Sequence, residues 1–305
     1  MFEPAYLRLL HSGELADRVE AALRRLEACD ICPRCCGVNR RQDVLGTCHT
    51  GEQAVVSSVG PHFGEEEPLV GHGGSGTIFF AWCNLRCQYC QNATISQLGE
   101  GEPANAQSIA SWMLALQRSG CHNVNLVSPT HVVPQILAAT LLAAQNGLHI
   151  PLVYNTGGYE RLETLALLDG VVDIYMPDMK YADAAVAERY SQVKGYPAIN
   201  QAAVREMHRQ VGDLWLDERG IAQRGLLVRH LVLPERLAGT AELVRFLAAL
   251  SPNTYLNIMD QYRPYLKAFS LPPLNRRIQA SEYREAVCQA HEAGLYRLDN
   301  RVRLG

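Results

Sequence analysis

Six short runs of β-branched and aromatic residues, separated by helical patterns, constrain this chain most. They fall at 77–82 (TIFFAW), 123–127, 151–154, 172–176, 226–233 and 254–259, and such runs read as strands. Apolar residues at helical spacing fill the intervals at 109–118, 133–145, 161–168 and 241–250, with a last helix at 281–293. Strands alternating with helices imply βαβ units and a parallel sheet. Six units fall short of an eight-fold barrel. The expected fold is therefore α/β, an open, partial TIM-like barrel, (β/α)6. Residues 3–28 read as one helix, with Leu15, Val19, Ala22 and Leu23 along one face. A cysteine- and glycine-rich stretch at 29–51, a strand candidate at 54–59 and a loop at 60–76 follow. This divides the chain into an N-terminal helix with a cysteine-rich, metal-binding segment over 1–60 and the barrel with its C-terminal helix over 61–305. No internal repeat is visible.

Composition narrows the function classes. With 28 basic against 31 acidic residues, the charge gives no case for a nucleic-acid or polybasic membrane partner. Hydrophobic residues at 48% and charged residues at 19% exclude disorder and coiled coil. The apolar run at 136–144 is broken by Thr140, and a membrane span needs about 20 residues. The start MFEPAYLRLL has no basic head before an apolar core, so no signal peptide is expected.

Ten cysteines stand at 29, 32, 35, 36, 48, 83, 87, 90, 121 and 288, eight of them before residue 91. A chain able to bury a core does not need disulfides, so clustered thiols without a secretory signal read as metal thiolates in a reducing cytoplasm. Gly71-His-Gly73-Gly-Ser-Gly76 matches the dinucleotide fingerprint, but that motif requires a strand before it and a helix after it. Here a strand follows, so the glycines serve a loop.

AWCNLRCQYCQN places Cys83, Cys87 and Cys90 directly after the first barrel strand, at the end where barrel active sites form. Three close thiolates suit a four-iron cluster with one iron left open, as catalytic metal sites leave a position open. Zinc with a remote fourth ligand, or three buried free thiols, are the alternatives. Cys29, Cys32, Cys36 and Cys48, with Cys35 as an alternate third, offer four thiolates with no free position, as structural zinc or a second iron–sulfur cluster requires. Arg34, Arg40 and Arg41 would offset their charge. Cys121 and Cys288 stand alone and read as small buried hydrophobes.

Cys83-x3-Cys87-x2-Cys90, with Tyr89 before the last cysteine, resembles the signature of radical S-adenosylmethionine (SAM) enzymes. GSGTIFFAWCNLRCQYCQN resembles the branch of pyruvate formate-lyase activating enzymes, and PHFGEEEPLVG and CPRCCGVNR resemble uncharacterised activating-enzyme homologues. The resemblance runs from about Cys29 to Pro264. It implies a radical SAM oxidoreductase with a 4Fe–4S cluster on the three cysteines, whose unique iron binds the amino and carboxylate groups of SAM. Reductive cleavage then yields methionine and a 5′-deoxyadenosyl radical that abstracts hydrogen from substrate. It implies an electron donor such as a flavodoxin or ferredoxin, and a protein substrate, a glycyl radical enzyme to be activated. A peptide or small metabolite as substrate, or a non-catalytic iron–sulfur or zinc protein, are the other readings.

The resemblance also assigns SAM-binding positions at the strand ends. Tyr89 is one. After the second strand, the family's Gly-Gly-Glu is replaced by Ser128-Pro-Thr130-His131, where Ser128 and Thr130 offer acceptors; a helix cap is the plain reading of Thr130. Asn155-Thr156-Gly157-Gly158 is similar to the family's Thr-Asn-Gly. Asp178-Met-Lys180 resembles its Asp-x-Lys; the pair shares one face, and an ion pair at the barrel mouth is the plain alternative. Arg229 lies mid-strand among apolar neighbours and needs an anion; the SAM carboxylate is expected, with Asp178 as the alternative. His230, on the opposite face, is expected as a core histidine. Asn257, Met259, Gln261 and Tyr262 are expected near substrate, with core packing the plainer reading of Met259.

Overall fold

The computed structural model describes residues 2–299. Its strands are β1 (Ala54–His62), β2 (Ser75–Phe80), β3 (Glu102–Ala104), β4 (Val124–Val127), β5 (Leu152–Thr156), β6 (Ile174–Pro177), β7 (Trp215–Leu216), β8 (Ala222–Leu231) and β9 (Tyr255–Met259). Its helices are α1 (Ala5–Ser12), α2 (Glu14–Arg24), α3 (Glu67–Val70), α4 (Ala93–Ser96), α5 (Ala106–Arg118), α6 (Val133–Gln145), α7 (Leu162–Leu168), α8 (Ala184–Ser191), α9 (Tyr196–Val211), α10 (Thr240–Leu250) and α11 (Ala280–Glu292). Strands β2, β4, β5, β6, β8 and β9 pair in parallel, each with the next. This is the expected six-strand α/β frame. Antiparallel strands extend it: β1 lies on the outer edge of β2, with β3 beyond it, and β7 runs beside β8. Strand β1 crosses residue 60 and joins the cysteine-rich segment to the sheet.

Side-chain alternation separates two cores. Leu152, Tyr154, Tyr175, Leu226 and Val228 face the helices, while Val153, Ile174, Met176 and Leu227 face inward. Leu69, Leu214 and Tyr255 complete the inner plug. The barrel is thus packed below and polar above, where Asn155, Asp178 and Arg229 continue the inward series.

Several boundaries differ from expectation. The single helix at 3–28 is two, broken where Gly13 takes φ 82°, a left-handed turn that glycine adopts without strain. The first barrel strand ends at Phe80, because Trp82 has φ 67° and turns the chain into the cysteine loop. Helices α8 and α9 were not read from the sequence. The face α9 buries carries Tyr196, Asn200 and Gln210 beside Ala203, Val204, Met207 and Val211, so polar residues dilute its apolar stripe. Cys121 is buried as expected, but Cys288 is exposed: α11 buries Tyr283, Ala286 and Ala290, and Cys288 lies on its other face. No helix among the described residues is long and apolar enough to cross a membrane.

Helix α1 is tied to the N-terminal ends of the strands by one carboxyl. Asp173 accepts the N–H of Ala5 at 2.9 Å and of Leu152 at 3.1 Å. Burial pushes its carboxyl up to about 7, against the lowering effect of those two N–H groups. A raised folded value means that the stability linked to this group is full below about pH 4 and is lost as pH rises through 7. Thermal melts should therefore show the wild type losing stability relative to Asp173→Asn between pH 4 and 8; parallel curves would contradict this.

Candidate active site

The cysteine loop leaves β2 at the C-terminal end of the parallel strands. Its backbone is held from outside by the end of α8: Arg86 and Gln88 donate their N–H groups to the carbonyls of Ser191 and Tyr190 at 3.0 and 2.8 Å. Each of the three sulfurs has a hydrogen-bond partner. Leu85 N–H reaches Cys83 Sγ at 3.4 Å, Ser191 Oγ donates to Cys87 Sγ at 2.9 Å, and Ser96 Oγ lies 3.1 Å from Cys90 Sγ. Burial pushes the Cys83 thiol up to about 12, and the nearby Cys87 and Cys90 add to the rise while Lys180 opposes it. Burial also raises Cys87, again against Lys180. Thiols held this close and individually hydrogen-bonded are suited to a soft metal group that takes them as thiolates. Among the described residues, no three His, Cys, Asp or Glu side chains close on a point as a single metal ion requires. Three soft sulfur donors this closely spaced are a set that an iron–sulfur cluster accepts.

Behind Cys87 runs a buried hydroxyl chain. Tyr89 Oη lies 2.6 Å from Tyr181 Oη, which lies 2.7 Å from Ser191 Oγ. Tyr89, expected as a SAM-binding residue, is buried in this chain and packs edge-on against Tyr262. Tyr181 and Ser191 were not anticipated, because they lie in the segment whose helices were not read.

The barrel mouth brings together four of the expected residues. Lys180 Nζ donates to Asp178 Oδ2 at 2.6 Å; Arg229 Nε donates to Asp178 Oδ1 at 2.9 Å and its Nη2 to Asn155 Oδ1 at 2.8 Å. Burial alone would raise the Asp178 carboxyl, but Arg229 and Lys180 outweigh it and hold it below its usual range. Two further carboxylates, Glu65 and Glu66, enter from the loop before β2. Glu65 is 3.8 Å from Arg229 Nη1, and Glu66 Oε1 accepts from Asn257 Nδ2 at 2.8 Å. Both are buried, and neither was singled out: carboxylates in a glycine-rich loop read as solvated. Glu66 Oε2 is buried without a hydrogen-bond partner.

Two other expected positions are engaged differently. Thr130 is buried and donates to Glu160 Oε1 at 2.5 Å; Thr156 donates to the same oxygen, and Tyr154 holds the other carboxylate oxygen at 3.1 Å. The Thr130 hydroxyl neither caps a helix nor faces the mouth group. Ser128 sits in left-handed backbone at φ 59° and donates its N–H to the Asn155 carbonyl at 2.9 Å. Gly158 shows why glycine is needed after β5. Its φ is 73°, and a Cβ there would come within 2.2 Å of Asn200 and 2.4 Å of the Asp178 carbonyl. His230 is the core histidine expected, its ring held by the Met179 carbonyl and Thr240 at 2.7 and 2.9 Å.

Beside Cys90, Gln91 opens onto a cleft of about 560 Å3 lined by Asp260, Gln261, Tyr262, Arg263, Arg277 and Arg284 among others. Its three arginines are exposed and outnumber the one aspartate.

Comparison with known proteins agrees with this geometry. The family model of the Radical SAM superfamily matches residues 77–213, from β2 through α9. The Uncharacterized protein MJ0674 of Methanocaldococcus jannaschii is 33% identical over 288 residues, covering 91% of this chain and 78% of that protein. A radical SAM methyltransferase from Sphaerobacter thermophilus is similar in fold, with a TM-score of 0.50 and 13% identity over 72% of this chain and 64% of the other. SuiB of Streptococcus suis bound to precursor peptide SuiA gives 0.48 and 12% identity, over 69% of this chain and 43% of SuiB. The chain thus spans less than two thirds of either solved protein. The matched cysteine loop, the parallel six-strand frame and the relative aligned over nearly the whole length lead to one assignment: the chain belongs to the radical SAM superfamily.

Proposed function

We propose that the chain is a radical SAM enzyme whose Cys83, Cys87 and Cys90 hold the catalytic cluster and whose barrel mouth holds SAM. The superfamily uses a 4Fe–4S cluster and SAM. The observation that carries the residue assignment is the grouping of three hydrogen-bonded thiols beside the Asp178–Lys180–Arg229 constellation. When bound and reduced, the cluster with SAM supplies a 5′-deoxyadenosyl radical for hydrogen abstraction.

The chain's own residues bind, orient and insulate. Lys180, near Cys83 and Cys87, offsets thiolate charge. Arg229 gives Nε and Nη2 to the protein, so Nη1, whose contact among the described residues is the long one to Glu65, is the donor left for the SAM carboxylate. The unpartnered Glu66 oxygen suits a cationic or hydroxyl group of SAM. Substrate approaches through the arginine-lined cleft at Gln91, which favours an acidic surface. A glycyl radical enzyme to be activated is the substrate class the branch resemblance favours; the open cleft also accommodates a peptide or an anionic metabolite. A flavodoxin or ferredoxin is the electron donor that fits.

Ser191 tunes the site, since hydrogen bonds to cluster sulfurs raise reduction potential. Ser191→Ala should shift the midpoint of the catalytic cluster to more negative values in a redox titration, with SAM affinity unchanged; an unmoved midpoint would remove that role. The function itself is tested by anaerobic reconstitution with iron and sulfide, followed by reduction with dithionite. Methionine and 5′-deoxyadenosine should form from SAM. A fully loaded protein that forms neither would overturn the proposal.

A further inference from the structure

The N-terminal cysteines enclose a chamber rather than a point. Cys29, Cys32, Cys35, Cys36 and Cys48, with Arg34, Arg40, Gly46 and His131, line a narrow void between the loop after α2 and the turn after β4, with about 10 Å3 open to the centre of a water-sized sphere. Cys29, Cys32 and Cys48 are buried. Four sulfurs bound to zinc at about 2.3 Å would close round one atom. These do not close on one point.

The chamber is built for an anion. Arg40 is 1% exposed, and among the described residues no carboxylate lines the space. Its Nε and Nη1 donate to the carbonyls of Gly51 and His131 at 3.1 and 2.7 Å, and Nη1 lies 3.9 Å from Cys29 Sγ. Its Nη2 is buried with no partner. A buried guanidinium without a counter-charge is costly, and thiolates with an inorganic core supply that charge. Thr47 N–H donates to Cys36 Sγ at 3.5 Å. Gly46 is so close that a Cβ would come to 2.9 Å from the same sulfur.

We propose that Cys29, Cys32, Cys36 and Cys48 bind a second 4Fe–4S cluster, fully ligated by protein. Cys35 is not a ligand: it is exposed, at φ 42°, with its sulfur 3.6 Å from Arg161 Nη1. The site adjoins the catalytic loop at two places. His49, next to Cys48, stacks on Trp82, next to Cys83, with ring centroids 4.9 Å apart, and Arg34 Nε donates to the Asn84 carbonyl at 3.0 Å. This inference rests on the catalytic assignment only in calling the cluster the second one.

The test uses the Cys83→Ala/Cys87→Ala/Cys90→Ala protein, purified anaerobically from iron-replete cells. About four irons and four acid-labile sulfides per chain, with a Mössbauer pattern of a single four-iron species, are expected. Adding Cys36→Ser should abolish that signal, while adding Cys35→Ala should leave it. One zinc without sulfide, or a folded protein with neither metal, would overturn the proposal. Should the triple variant fail to fold, the wild type decides: about eight irons and eight sulfides support the second cluster, and about four with one zinc refute it.

Discussion

Arg229→Gln should cost about 3 kcal/mol of folding stability at neutral pH, the lower end of what breaking a buried ion pair costs, because the side chain keeps 19% exposure. Arg229 sits among Asp178, Glu65 and Glu66, and its removal leaves Lys180 as the cation beside Asp178. Asp178 titrates below its usual range in the folded protein. Its ion-pair contribution is therefore present above the unfolded value near 4 and is lost as pH falls through the folded value. The destabilisation of Arg229→Gln should accordingly shrink on acidification, as the uncompensated carboxylates take up protons. Denaturant melts at several pH values check both points. Asp178→Asn in the same background should not restore the loss, since Lys180 still pairs with Asp178 at 2.6 Å and would lose that partner. A variant as stable as wild type, with weaker SAM binding alone, would mean that the guanidinium serves the ligand and not the barrel.

Cys87→Ala should bring SAM cleavage to background while leaving the fold intact. The structural cost is the Ser191–Sγ bond, about 1 kcal/mol. The catalytic loss follows from one iron without its ligand. Cys121→Ala, at a buried thiol far from this loop in sequence, is the matched control and should cleave SAM as wild type does. Circular dichroism and quantified 5′-deoxyadenosine distinguish lost chemistry from lost structure. Wild-type product from a folded Cys87→Ala protein would remove the cluster from this cysteine.

The frame was legible because strand and helix periods differ. Val153, Ile174, Met176 and Leu227 face one way and their neighbours the other, so strands β5, β6 and β8 announce themselves within a few residues. The triplet Cys83, Cys87, Cys90 was legible for a different reason: three soft ligands within eight residues admit few chemistries. Three things were hidden. The helix α9 hides its apolar face behind Asn200 and Gln210. Ser191 touches Cys87 only through tertiary folding, 104 residues away. Glu65 and Glu66 look solvated until the loop is seen to turn inward against Arg229 and Asn257. Their sole sequence signal was the acidic run in the PHFGEEEPLVG stretch. Thr130 shows the opposite case: a hydroxyl at a strand end looked available, but the buried Glu160 claims it.

Electron paramagnetic resonance of the reduced, reconstituted protein, with and without SAM, tests the central claim most directly. If Cys83, Cys87 and Cys90 leave one iron open beside the barrel mouth, adding SAM will change the g-values and line shape of that cluster, and the change will vanish in Cys87→Ala. A loaded wild-type cluster whose spectrum is the same with and without saturating SAM would contradict an open iron at this site.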